Sequence, residues 1–171
     1  SEMCIRDRNK CVILTGAAGS IGRYISRHLL REGAKVTMTG RDPSKLDAFV
    51  EELSEEGFDA ENITTMVGDC ADPQVCRDIV SRAVDSFGKL DVLVNNAGAA
   101  GPKYTLRDIP FTDVEMRAAG SDQTMFDSAM NLLGAPWNMA RAAAAHLSDG
   151  GTIVNVSTCL LYTSDAADEE D

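Results

Sequence analysis

The stretch TGAAGSIG, Thr15 to Gly22, follows the apolar run Cys11–Thr15 and leads into residues with helical spacing. Gly16 can turn tightly where a side chain could not. Gly19 and Ser20 let backbone N–H groups come close to an anion, Ile21 begins an apolar stripe, and Gly22 lets helix pack closely on strand. This is chemistry for a pyrophosphate at a helix N-terminus, where the dipole favours negative charge. A second run, Thr39-Gly40-Arg41, closes the next apolar segment. A dinucleotide site that takes a ribose 2′-hydroxyl uses a carboxylate there, and position 40 has none. Arg41 instead offers a planar, permanently charged fork suited to a 2′-phosphate. The expected cofactor is therefore NADPH rather than NADH. A third run, IVNVST, ends in a hydroxyl pair, Ser157 and Thr158. For these three runs the structural alternatives are a plain strand-to-helix turn, a solvated arginine and a polar strand end.

The elements that must position these groups alternate along the chain. Cys11–Thr15 reads as a buried strand, and Ile21, Ile25, Leu29 and Leu30 carry a helix that Gly33 stops. Lys35–Thr39 is a second strand. Asp42-Pro43 opens a helix with Leu46, Phe49, Val50 and Leu53 on one side. Ile63–Val67 is a third strand. Asp72-Pro73 opens a helix bearing Val75, Ile79, Val80, Ala83 and Phe87. Leu90–Val94 is a fourth strand. A polar stretch from Gly101 to Asp122 shows little periodicity. Met125–His146 is the longest helical pattern, broken by Gly150-Gly151, and Thr152–Val156 is a fifth strand. Parallel neighbours need crossovers, and right-handed ones place helices on both faces. The expected fold class is α/β: a Rossmann-type, doubly wound parallel sheet, with its first five strands in this chain.

The 171 residues carry a formal charge of -11. Five of the acids (Asp165, Asp168, Glu169, Glu170 and Asp171) stand at the extreme end. With basic residues unclustered, a nucleic-acid partner is not expected. No apolar run approaches the roughly 18 residues of a membrane span. The five cysteines, at 4, 11, 70, 76 and 159, are scattered without a Cys-x-x-Cys. Neither a disulfide framework nor a metal site is expected, and the thiols fit a cytoplasmic setting.

Together, TGAAGSIG, GDCAD at 68–72, NNAG at 95–98 and GTIVNVST at 151–158 resemble the short-chain dehydrogenase/reductase family, in order and spacing, over residues 9–158. One departure is that Ser20 stands where the family usually has glycine, with Gly19 beside it. The resemblance implies a dinucleotide held by Gly16, Gly19, Ser20, Ile21 and Gly22. It implies Asp69 and Cys70 beside the adenine, and Asn96, Ala97 and Gly98 along the adenosine ribose. It implies Asn131 in a proton relay, with Ser157 and Thr158 at the substrate and Thr158 orienting its carbonyl. The family's proton donor is a tyrosine in Tyr-x-x-x-Lys, about a dozen residues past the hydroxyl pair. Here the tyrosines are 24, 104 and 162, and four residues after each stand His28, Asp108 and Ala166. The motif is absent from these residues, so the chain alone is not expected to catalyse reduction.

SEMCIRD and CLLYTSDAADE, at the two ends, look like adapter read-through of the kind found on assembled environmental fragments. Residues 1–8 and 159–171 are accordingly expected to be a foreign leader and tail around a partial dinucleotide-binding domain at 9–158. Between NNAG and VNVST, Ala100-Gly101-Pro102, Leu106 to Pro110, Asn131 to Gly134, Trp137 and Ala143 to His146 make an order similar to that of the malonyl-CoA reductase branch, in its N-terminal reductase half. That likeness implies reduction of malonate semialdehyde to 3-hydroxypropionate. The carboxylate of such a substrate needs a cationic or N–H-rich anchor; Lys103 and Arg107 are candidates if their loop folds over the site, and the anchor is otherwise expected in a missing half. A general ketoacyl or alcohol dehydrogenase stays open as an alternative, as does a non-catalytic dinucleotide sensor. The expected partners are a small carbonyl substrate and, for the full-length protein, further copies or further reductase domains.

Overall fold

The computed structural model describes residues 8–98 and 130–157, with backbone alone for Met130 and Asn131. The chain runs β1 (Cys11–Thr15), α1 (Ser20–Arg31), β2 (Lys35–Gly40), α2 (Pro43–Glu55), a short 3-10 turn (Ala60–Asn62), β3 (Ile63–Val67), α3 (Pro73–Phe87) and β4 (Leu90–Asn95). A π-helical segment (Met130–Gly134), α4 (Ala135–Ala143) and β5 (Leu147–Asn155) follow. The five strands form one sheet in the order β3-β2-β1-β4-β5. Every neighbouring pair is parallel. This is the expected α/β architecture of a doubly wound sheet, with the strand order reversing between β1 and β4.

Each face of the sheet has its own core. On one, Val12, Leu14, Val36 and Met38 meet Leu46, Phe49 and Leu53 of α2 and Leu30 of α1. On the other, Ile13 and Leu93 meet Ile79, Val80 and Ala83 of α3 and Met139 and Ala143 of α4. Fully burying a side chain such as Phe49 or Leu46 contributes about 1.5–3 kcal/mol. α2 and α3 begin as their Asp-Pro pairs dictate. Asp42 accepts a hydrogen bond from the Lys45 N–H at 3.2 Å, and Asp72 accepts one from Gln74 at 2.7 Å. α1 and α2 are clasped on the outside: Arg23 and Arg27 reach Glu52 at 2.6 and 2.8 Å, Arg27 also binds Glu56, and both guanidiniums lie over the Phe49 ring.

Three expectations change. Ile21 is 59% exposed, while Gly22, Ser26 and Leu30 form the buried face of α1. Small residues face the sheet here because helix and strand approach closely. Of the long helix expected over 125–146, the described part is a π-helical segment, Met130–Gly134, that runs into α4 and ends at Ala143, short of His146; residues 125–129 lie outside those described. Gly150 and Gly151 do not separate helix from strand but lie inside β5. Between Leu90 and Val92 the partner residue jumps from Leu147 to Thr152, a bulge that Gly150 accommodates at φ +77°. β5 is also the last strand of the described sheet. Ile153, Val154 and, just past the strand, Val156 are 38%, 42% and 39% exposed.

Candidate functional site

The carboxyl ends of β1 and β4 meet over a crevice at the point where the strand order reverses. Ligands bind at this position in open α/β sheets. Its floor is the turn after β1. Gly16 has φ +65°, and a Cβ there would lie 2.9 Å from the Ala97 Cα. A Cβ on Gly22 would lie 2.1 Å from the Gly16 oxygen, so helix and turn are packed to the limit of backbone contact. Thr15 and Asn96 lock the turn to β4. The Asn96 and Ala97 N–H groups donate to the Thr15 hydroxyl at 3.0 and 2.9 Å. The Asn96 side chain donates to the Thr15 and Gly16 carbonyls at 3.0 and 3.2 Å.

The turn then delivers α1. Unlike α2 and α3, this helix has no side-chain cap, because Gly19 stands at its N-cap, and no acidic residue lies in its first turn. A helix leaves its first N–H groups without internal partners. Those of Ser20, Ile21 and Gly22 belong to residues that line the crevice. The cavity holds about 700 Å³ and is walled by Gly16, Gly19, Ser20, Ile21 and Gly22, by Arg41, by Asp69 and Cys70, and by Asn96, Ala97 and Gly98. The expected cofactor residues thus surround a single space.

At one end of that space β2 ends in Gly40. A side chain there would meet nothing within 4 Å, so packing does not forbid a carboxylate; the position is simply open. Arg41 and, one helical turn further, Lys45 line the same end. Sequence reading missed Lys45, although its place in the first turn after Asp42-Pro43 was a usable signal. Asp42 and Asp69 also line the crevice, and each carboxylate accepts a local backbone N–H, from Lys45 and Ala71. Asn138 of α4, also missed, donates to the Cys70 and Ala71 carbonyls at 3.3 and 3.0 Å and fixes the loop after β3. A hydrogen bond with Cys76, then burial, holds the Cys70 thiol above its ordinary pKa; Cys76 lies below its own, with that same hydrogen bond as the leading cause.

Of the residues expected to do chemistry, Ser157 alone has a described side chain. Ser157 is exposed just past β5 and does not line the crevice. Thr158 lies outside the described residues, as do Lys103 and Arg107. Asn131 sits in the π-helical segment, with its side chain not described. π-Helical turns are frequent at functional sites. Among the described residues no group of His, Cys, Asp and Glu is placed to hold a metal, and no helix is long and apolar enough to cross a membrane.

A dinucleotide fits what is present. The uncapped α1 suits a pyrophosphate, Gly16 and Gly22 let the turn and helix that carry its N–H groups pack at backbone contact, and the open Gly40 beside Arg41 and Lys45 suits an extra anionic group.

Comparison with known proteins points the same way. The family described as short chain dehydrogenase matches residues 10–160. The chain is 32% identical over 164 residues to 7alpha-hydroxysteroid dehydrogenase of Bacteroides fragilis, covering 94% of this chain and 58% of that one. It is 33% identical over 153 residues to L-rhamnose-1-dehydrogenase of Scheffersomyces stipitis, covering 87% and 55%. Among solved structures, the N-domain of a bacterial malonyl-CoA reductase with NADP is 39% identical with a TM-score of 0.79, covering 88% of this chain and 29% of that one. A short chain dehydrogenase from Burkholderia cenocepacia in complex with NADP is 29% identical with a TM-score of 0.71, covering 97% and 60%. The chain thus spans little more than half the length of these curated relatives.

Proposed function

Because the chain belongs to the short-chain dehydrogenase family, we propose that it is the cofactor-binding portion of an oxidoreductase that uses NADPH to reduce a small carbonyl compound. The observation that carries the cofactor choice is the end of β2: open space at Gly40, with Arg41 and Lys45 lining the crevice beside it. Ser20, Ile21 and Gly22 present backbone N–H groups to the pyrophosphate. Asp69 and Cys70 border the adenine, and Ala97 and Gly98 follow the adenosine ribose. Asn96 holds the turn from below, since its side chain is spent on the Thr15 and Gly16 carbonyls. The cofactor, when bound, supplies the hydride.

The substrate we favour is malonate semialdehyde. The likeness of residues 100–146 to the malonyl-CoA reductase branch supports this reading. So does the 39% identity to the N-domain of such a reductase. Asn131 would belong to the proton relay, and Ser157 and Thr158 would hold the carbonyl by hydrogen bonds. The proton donor itself is not supplied by the 171 residues, which contain no Tyr-x-x-x-Lys. Residues 9–158 would therefore bind cofactor without turning over substrate, with 1–8 and 159–171 as foreign flanks.

Titrating the purified chain with NADPH and NADH tests the cofactor reading. Tighter binding of NADPH is expected, and Arg41→Ala should weaken it about tenfold, or 1.4 kcal/mol, while leaving NADH alone. Equal affinities for the two in the parent chain would overturn it. For the substrate, the longer gene would be recovered and NADPH oxidation followed with malonate semialdehyde beside acetoacetyl and simple aldehyde substrates. No advantage for malonate semialdehyde would remove that assignment.

A further inference from the structure

Two thiols sit together behind one wall of the crevice. Cys70, 7% exposed, follows β3 and lines the cavity, while Cys76 is fully buried in α3. The Cys76 thiol donates to the Cys70 carbonyl oxygen at 3.3 Å, which sets its sulfur against the Cys70 residue. The loop between them has little freedom. The Asp72 N–H donates to the Asp69 carbonyl at 3.0 Å, and Asp69 and Asp72 each take a further N–H from within it. Asn138 ties down both Cys70 and Ala71 from α4. Below it, a Cβ on Gly68 would lie 2.3 Å from the Val75 Cγ1, so the strand end rests directly on α3. Cys11, the other described cysteine, starts β1 at the far end of the sheet.

We propose that Cys70 and Cys76 form a redox-active dithiol, which hydrogen peroxide converts to a disulfide that loosens dinucleotide binding. One thiol takes an oxygen from peroxide, giving a sulfenic acid and water. The second sulfur then displaces that oxygen as a second water. The pair loses two protons and two electrons, and one peroxide becomes two waters. Both cysteines are free thiols, and a disulfide sets its sulfurs at roughly 2.05 Å, so the bond must draw them together. Drawing the sulfurs together must break the thiol-to-carbonyl bond and strain the loop that Asn138 and Asp69 hold, and Cys70 and Asp69 both line the crevice. The effect on binding rests on the cofactor reading above; bond formation does not.

The experiment treats the reduced full chain with hydrogen peroxide, quenches with an alkylating agent and maps peptides without reduction. Trypsin releases both residues in one peptide, Leu46 to Arg77, which contains no other cysteine. The expected result is loss of two hydrogens from that peptide and faster amide exchange over residues 68–75. NADPH affinity should fall at least fivefold and recover with dithiothreitol. Cys76→Ser, or Cys76→Ala if the serine variant folds poorly, should keep its NADPH affinity under peroxide. Separate oxidation of either sulfur to a sulfinic acid, or thiols that stay reduced in the folded chain, would overturn the proposal. A disulfide that changes neither amide exchange nor affinity would do the same. Failure of the reduced chain to bind NADPH would sink the cofactor reading instead, and the peptide mass with its exchange rate would still decide the dithiol.

Discussion

β1 meets two different problems at its two ends. At the carboxyl end the chain leaves through Gly16 into α1, whose first N–H groups have no side-chain cap. At the amino end the Cys11 N–H is closed by the Asp91 carboxylate at 2.9 Å, and that carboxylate also holds Lys89 at 2.7 Å and Lys10 at 3.6 Å. Donors are left open where a ligand can use them and are satisfied internally where none will come. A buried donor without a partner costs roughly 1–3 kcal/mol. At the carboxyl end Ser20 and Ile21 are exposed and leave their N–H groups open to the crevice, whereas the amino end removes that cost with a buried acid. Damage to the first should therefore appear in binding, and damage to the second in stability.

The largest expected effect comes from Gly22→Ala, which tests whether the carboxyl end tolerates any added atom. With the new Cβ 2.1 Å from the Gly16 oxygen, the turn and α1 must separate. NADPH affinity should fall more than 100-fold, with a stability loss of about 1–3 kcal/mol; calorimetric titration and thermal unfolding measure the two. Unchanged affinity would mean that the turn does not form the site.

Asp91→Ala is the counterpart at the amino end. It strands the Cys11 N–H and two ammonium groups, and should cost about 2–3 kcal/mol in denaturant unfolding. NADPH affinity should stay within twofold of the parent. A comparable loss of binding would show that the two ends are coupled through β1.

Acid should act on the same end. Burial pushes the Asp91 carboxyl up, but Lys89, the Cys11 N–H and Lys10 together outweigh it and leave it below the usual carboxylate value. A group held down in the folded state lends stability above its unfolded pKa and loses it as pH falls through the folded one. Stability should thus decline below about pH 4, and Asp91→Ala should flatten that decline. Equal acid sensitivity in parent and variant would remove Asp91 as its cause.

The smallest effect belongs to Lys45→Ala. Its ammonium is exposed and already 3.7 Å from Asp42, so NADPH binding should weaken only twofold to threefold, with stability unchanged. A loss as large as that of Arg41→Ala would make the two cations equal partners.

The contrast between the ends also explains what the sequence could reveal. The carboxyl end was readable because its constraints are local: a glycine turn, an Asp-Pro start, Arg41 after an apolar strand. Asp91 gave no sign, since its partner Cys11 lies 80 positions away and KLDVLV reads as an ordinary strand start. Asn138 was hidden likewise, bonding the Cys70 carbonyl from 68 positions away. Ile21 misled because periodicity rewards large apolar residues, whereas the buried face of α1 is made by Gly22 and Ser26. The bulge in β5 was missed because Gly150-Gly151 signals a break, and only pairing with β4 shows the strand resuming before it.

The clasp of Thr15 by Asn96 joins residues 81 positions apart. On the ribosome, the glycine turn is synthesised early and must wait for β4 before anything holds it. Stalled chains of increasing length should therefore gain cofactor-dependent resistance to protease in one step, only once Asn96 and Ala97 have cleared the exit tunnel.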